Sequence, residues 1–150
     1  MTRRSYFGAL SGSLGAAQIA GAQDTQSARP PADPSLDLSS FGLKGDGITD
    51  DTGAIQKSLD VAAKTGATVV LPPARYLVAG HLKIPPGVGL EGVHHGPVGQ
   101  GPLTGTVILT TAGRDKEDAP PLFDMGSGTS VRDLMVFYPE QSPTEVHPYP

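Results

Sequence analysis

The sequence predicts a mostly β protein that winds as a parallel β-helix behind one short N-terminal helix. Three observations point that way. The apolar runs between residues 68 and 90 are short, and each is cut by Pro or Gly. One apolar stripe at helical spacing precedes them. A weak repeat relates residues 86–93 to residues 127–134.

The helix comes first. Gly45, Asp46 and Gly47 read as a tight turn, because Gly tolerates positive φ and Asp bonds its own backbone. Thr49, Asp50, Asp51 and Thr52 then offer side-chain oxygens where a helix begins. Ile55, Leu59 and Ala62 follow at i, i+4 and i+7, so a helix is expected over residues 52–65, stopped by Gly66. Capping the positive end of its dipole accounts for Asp50 and Asp51. The alternative for Asp46, Asp50 and Asp51 is a calcium site, since carboxylates are hard oxygen ligands; no bidentate Glu follows them. No metal ligand and no cofactor is therefore assigned, with calcium the one alternative.

After Thr68 the period changes. Residues 68–71 are β-branched up to Leu71 and stop at Pro72 and Pro73, and residues 76–78, 82–84 and 88–90 follow as further short strands. Strands this short and this closely spaced fit a solenoid better than a sandwich. In the repeat, Gly87 aligns with Gly128, Leu90 with Val131 and Val93 with Leu134, an offset of 41. The expectation is two coils of about 20 residues each, with Val107, Ile108 and Leu109 supplying the strand between.

Composition agrees. The chain has 150 residues, 20 Gly, 15 Pro, no Trp and no Cys, and a net charge of −4. Gly and Pro at that density suit turns and short strands rather than a helical bundle. The acidic balance offers no face for nucleic acid, and the absence of Cys excludes disulfides and thiolate metal sites. Arg3 and Arg4 precede an uncharged, Gly-diluted stretch ending in Ala20, Gly21 and Ala22, a small-x-small cleavage pattern. Residues 1–22 resemble a twin-arginine export signal, which implies a periplasmic or extracellular protein with no membrane anchor after cleavage. Residues 23–36 read as a disordered Pro-rich leader and residues 37–150 as the folded part.

Phe41, Gly42, Lys44, Gly45, Asp46, Gly47, Thr49, Asp50, Asp51, Thr52, Ala54, Ile55 and Gln56 together resemble the opening of the pectate-lyase-like domain of rhamnogalacturonases, polygalacturonase-related proteins and some epimerases. The likeness continues through Leu59, Asp60, Ala62, residues 69–72 and 76–78, and residues 82–92. It implies a right-handed parallel β-helix in which residues 41–66 cap one end and residues 68–92 form the first coil. Ala74 and Arg75 depart from the Gly-Thr usual before Tyr76, and Gly53 from the Ala or charged residue usual in the first helical turn.

The resemblance implies an exported enzyme acting on a polysaccharide: glycosidic-bond hydrolysis first, then elimination or epimerisation, with a non-catalytic carbohydrate-binding β-helix as the rival. No catalytic residue transfers, because the aspartate settings of the polygalacturonase branch do not occur after Gly92. The substrate-binding residues and the oligomeric state are unassigned. His94 and His95 head a Gly/Pro-rich insertion over residues 94–105. They read as a solvated loop rather than a metal site, since neighbours on an extended chain point apart. His81 and His147 stand alone beside turns. Arg114, Asp115, Lys116, Glu117 and Asp118 read as a solvated loop within reach of substrate. Met135 and Phe137 alternate with Val136 and Tyr138, so if Val136 and Tyr138 face the core, Met135 and Phe137 face out and call for a cover. Nothing after Tyr138 resembles a closing element, so the chain is expected to be the truncated start of a longer β-helix, its catalytic coils lying beyond Pro150.

Overall fold

The computed structural model describes Leu36, residues 38–95 and residues 103–150, with His95 described by its backbone alone. The export signal expected over residues 1–22, the leader apart from Leu36, and residues 96–102 of the insertion lie outside the described residues.

A short 3-10 helix at Leu38–Phe41 leads into β1 (Asp46–Asp50) and α1 (Thr52–Thr65). The strands that follow are β2 (Val69–Val70), β3 (Arg75–Val78), β4 (Leu82–Ile84), β5 (Gly89–Glu91), β6 (His94–His95), β7 (Thr104–Gly105), β8 (Val107–Thr110), β9 (Phe123–Met125), β10 (Ser130–Arg132) and β11 (Met135–Phe137). Three parallel sheets result, in the orders β1-β3-β8-β11, β2-β5-β10 and β4-β9. The chain visits the sheets in rotation: β2, β3, β4, then β5, β8, β9, then β10 and β11. Each pass lays its strands beside those of the pass before, as expected of a pectate-lyase-like fold.

The register explains the repeat and corrects its reading. Val69 pairs with Leu90 and Leu90 with Val131, all in one sheet. Gly87 N–H also donates to Ser127 O at 3.0 Å. The aligned residues are thus direct neighbours, and the offset of 41 is one turn, not two. Val107, Ile108 and Leu109 do not stand between them; they form β8 in another sheet, paired with β3 and β11. The second turn is long because it carries the β6–β7 hairpin, which is antiparallel, and the loop over residues 111–122.

The core follows the alternation along each strand. Val69, Tyr76, Val78, Leu82, Ile84, Leu90 and Ile108 are buried, and Ile55, Leu59 and Ala62 close one end of the stack at 0% exposure each. The helical stripe read from the sequence is therefore the buried face of α1. Gly66, with φ 69°, ends the helix as expected, and its N–H returns to Ala62 O. Polar side chains of the helix complete the cap. Gln56 accepts from Lys83 N–H and donates to Lys83 O, both at 2.9 Å, so its amide stands in for a neighbouring strand beside β4. Thr52 Oγ1 accepts from Gly80 N–H at 3.2 Å just past the end of β3.

Two further expectations change, and one departure is accommodated. Residues 45–47 are not a free turn: Gly45 and Gly47 do take positive φ, but Asp46–Asp50 runs on as β1, paired parallel with β3 through a bulge. The turn before Tyr76 is made without positive φ, so Ala74 and Arg75 fit it. Residues 139–150 are not a free polar tail. They double back onto the loop at residues 113–116, with Asp115 N–H donating to Pro148 O at 2.9 Å and Tyr138 packing on Tyr149 at 4.4 Å between ring centres. Val136 stands in register with the buried Ile108, while Phe137 is 40% exposed. Met125, on β9, is 49% exposed. Among the described residues no helix is long and apolar enough to cross a membrane.

Candidate functional site

The three aspartates of the opening motif serve the backbone, each in a different way. Asp46 Oδ1 accepts from Ile48 and Thr49 N–H at 2.8 and 2.7 Å, and Oδ2 from the Thr49 hydroxyl at 2.8 Å. These bonds, Thr49 N–H first, hold its carboxyl below the ordinary 3.8. Asp50 Oδ1 accepts from the Thr52 hydroxyl and N–H, and its carboxyl is also lowered, mainly by that hydroxyl. Asp51 is 1% exposed and makes no side-chain bond to its own helix. Its carboxylate turns backwards, accepting from Lys44 N–H at 2.8 Å and Gly45 N–H at 2.9 Å. The capping expectation holds for Asp50, which serves Thr52, and fails for Asp51, which clamps the preceding loop. Among the described residues no three His, Asp or Glu side chains converge as metal ligands.

The histidines separate by position. His94 is an exposed residue of the β6–β7 hairpin. His81 and His147, far apart in sequence, approach the same loop. His81 Nδ1 lies 3.1 Å from Pro121 O. His147 Nδ1 lies 2.9 Å from Asp115 Oδ1, and its Nε2 lies 2.9 Å from Arg114 Nη2. Arg114 also forms a close ion pair with Glu140 at 2.7 Å. The run at residues 114–118 is thus not simply a solvated loop. Its first two residues dock the C-terminal arm, and its last three face an open cleft.

That cleft, of about 780 Å³, is lined by His81, Gly113, Asp115, Lys116, Glu117, Asp118, Ala119, Pro120 and Pro148. Its walls are loops of the first and second turns and the arm, all outside the packed core. Three carboxylates accept hydrogen bonds of the kind sugar hydroxyls donate, Lys116 offers a cation for a sugar carboxylate, and His81 adds an imidazole ring. The sequence supplied each member and singled out the charged run. It did not supply their meeting, because the lengths of the intervening turns decide it. A second, more apolar cavity of about 370 Å³ lies under the 3-10 helix between Leu38, Leu43, Val70, Pro72, Ala74 and Tyr76. Burial, and then the nearby Asp51, push the Tyr76 hydroxyl up.

One side chain the sequence did not mark holds the second turn together. Thr106 is 1% exposed; its hydroxyl accepts from Val93 N–H at 2.9 Å and faces Leu71 O and Pro72 O at 2.9 and 3.1 Å. A lone Thr before an apolar run gives no sequence signal for this.

Known proteins match parts of the chain. Alginate lyase 7 of Azotobacter vinelandii is 58% identical over 41 residues, 27% of this chain and 5% of that protein. Mannuronan C5-epimerase AlgE5 of the same organism is 54% identical over 41 residues, 27% of this chain and 4% of that protein. The non-secreted LysM effector LysM19 of Penicillium expansum is 39% identical over 57 residues, 38% of this chain and 4% of that protein. The chain thus spans about a twentieth of the length of these relatives or less. No solved structure matches. Residues 36–100 match the family model described as rhamnogalacturonase A/epimerase, pectate lyase-like. The cap, the first turn and the start of the second are therefore the part of the chain that is similar to a pectate-lyase-like domain of the rhamnogalacturonase A/epimerase type.

Proposed function

We propose that this protein modifies a uronate-containing polysaccharide by elimination or C5-epimerisation, on a right-handed parallel β-helix whose first turns are described above. The observation that carries the reading is the pair of 41-residue matches, at 58% and 54% identity, to proteins named as an alginate lyase and a mannuronan C5-epimerase. The two reactions share a first step, removal of the proton at C5 beside the sugar carboxylate. Right-handed winding is supported by the parallel strand-to-strand crossovers within each sheet, which take that hand in nearly all proteins. Met125 at the end of the second turn, and Val131, Leu134 and Phe137 on the third, stay partly exposed, which supports reading these coils as the opening of a longer stack. Export through the signal at residues 1–22 fits a polymeric substrate that stays outside the cytoplasm. Hydrolysis is the second reading, favoured by the rhamnogalacturonase description of the family.

Incubation of the purified protein with mannuronan in heavy water tests this. A lyase yields an unsaturated uronate with ultraviolet absorption, and an epimerase yields deuterium at C5 without it. New reducing ends with neither signal would establish hydrolysis. Glycan binding with no turnover would replace the enzyme by a carbohydrate-binding β-helix.

A further inference from the structure

The C-terminal arm meets the cleft loop through one histidine, and its surroundings fix its proton. Guanidinium nitrogens only donate. Arg114 Nη2, 2.9 Å from His147 Nε2, therefore needs that ring nitrogen bare. The ring proton then sits on Nδ1, where Asp115 Oδ1 accepts it at 2.9 Å. One tautomer of the neutral ring satisfies both contacts. The side chain is 11% exposed, so water cannot easily replace either partner. Adding a proton to Nε2 would set two donors against each other at 2.9 Å. A replacement acceptor is already close, since Glu145 Oε1 lies 3.4 Å from Nε2. The charged groups in contact with this ring are Arg114 and Asp115 from the loop and Glu145 from the arm, with Glu140 of the arm paired to Arg114 and Tyr149 near Arg114, Asp115 and Glu140.

We infer that His147 is the pivot of a proton-operated partner exchange that keeps the arm strapped beside the cleft on both sides of its titration. Neutral, the ring accepts from Arg114; protonated, it releases Arg114 and donates to Glu145, while Asp115 holds Nδ1 throughout. The strap matters to the cleft because Asp115 and Pro148, joined by the Asp115 N–H to Pro148 O bond of 2.9 Å, both line it. The exchange adds a positive charge beside the cleft without opening its wall. This inference does not depend on which reaction the protein catalyses.

Nitrogen-15 spectra of the histidine rings in the full chain test the first half: His147 must carry its proton on Nδ1 at alkaline pH. Amide hydrogen exchange at Asp115 tests the second. In the wild-type chain its protection persists from alkaline to acid pH. Glu145→Ala removes the substitute acceptor, so protection falls by about threefold at the acid end alone, the effect of losing one solvent-screened ion pair. An Nε2–H tautomer in the wild-type chain at alkaline pH overturns the inference. So does a Glu145→Ala chain whose protection is unchanged at acid pH, or falls equally at both ends.

Discussion

Asp51→Asn separates two accounts of the opening motif. As a helix cap, Asn serves as well as Asp, and the change would cost close to nothing. The clamp gives a different answer. Both carboxylate oxygens accept backbone N–H groups, from Lys44 at 2.8 Å and Gly45 at 2.9 Å, and the side chain is 1% exposed. An amide keeps one acceptor, now neutral, and turns an N–H toward the other donor. Weakening a charged hydrogen bond to a neutral one costs about 1 kcal/mol, and leaving a buried N–H without an acceptor costs about 1–3 kcal/mol. The sum, about 3 kcal/mol, is a large part of the 5–15 kcal/mol typical of a domain. Urea unfolding followed by circular dichroism measures it, with an unchanged slope confirming that only stability moved. Amide exchange at Lys44 and Gly45 should accelerate in the same variant. A loss below 0.5 kcal/mol, with those two amides unaffected, would refute the clamp and return Asp51 to the role of a cap.

Thr106→Val keeps shape but leaves Val93 N–H without its acceptor, and should cost about 1–3 kcal/mol in the same unfolding assay. Gly53→Ala places a methyl where nothing lies within 4 Å, on an exposed helical turn, and should raise stability by about 0.5–1 kcal/mol. Asp50, held below 3.8 mainly by the Thr52 hydroxyl, adds stability that is present above the unfolded value and lost as pH falls through the folded one. The melting temperature should therefore drop below about pH 4, and Asp50→Asn should flatten that part of the profile. Tyr76, raised above 10.0 by burial, has the opposite sign: its contribution is complete at neutral pH and lost as pH rises through the folded value. A tyrosinate absorbance titration should find its transition delayed relative to an exposed tyrosine.

The legible parts of the fold were those fixed by local chemistry. The stripe of Ile55, Leu59 and Ala62, the stop at Gly66 and the strands after Thr68 each follow from side-chain spacing or a punctuating Gly or Pro. The likeness of Leu90 to Val131 was also legible, because inward positions on stacked turns share an environment and so a residue type, but their direct pairing was not. The number of turns was not, since sequence distance does not measure distance along a stack when loops intervene. Asp51 misled for a related reason. Its position beside the helix start suits a cap, and only the path of the preceding loop brings Lys44 and Gly45 N–H within reach. The cleft was legible as residues and illegible as a place: His81, the charged run and Pro148 belong to three segments joined only by the winding.

The unequal turns have a consequence for how such a chain can change. Val69 to Leu90 closes a turn in 21 positions and Leu90 to Val131 closes the next in 41, yet both land in register. Sideways hydrogen bonds and the inward stack set the landing point, and the excess length is extruded as hairpin and loop. A segment such as residues 111–122 can therefore be lengthened, shortened or exchanged as a cassette while the strands on either side keep their partners. The scaffold and the recognition surface are free to evolve at separate rates, and a library built in that loop would sample new cleft chemistries on an unaltered frame.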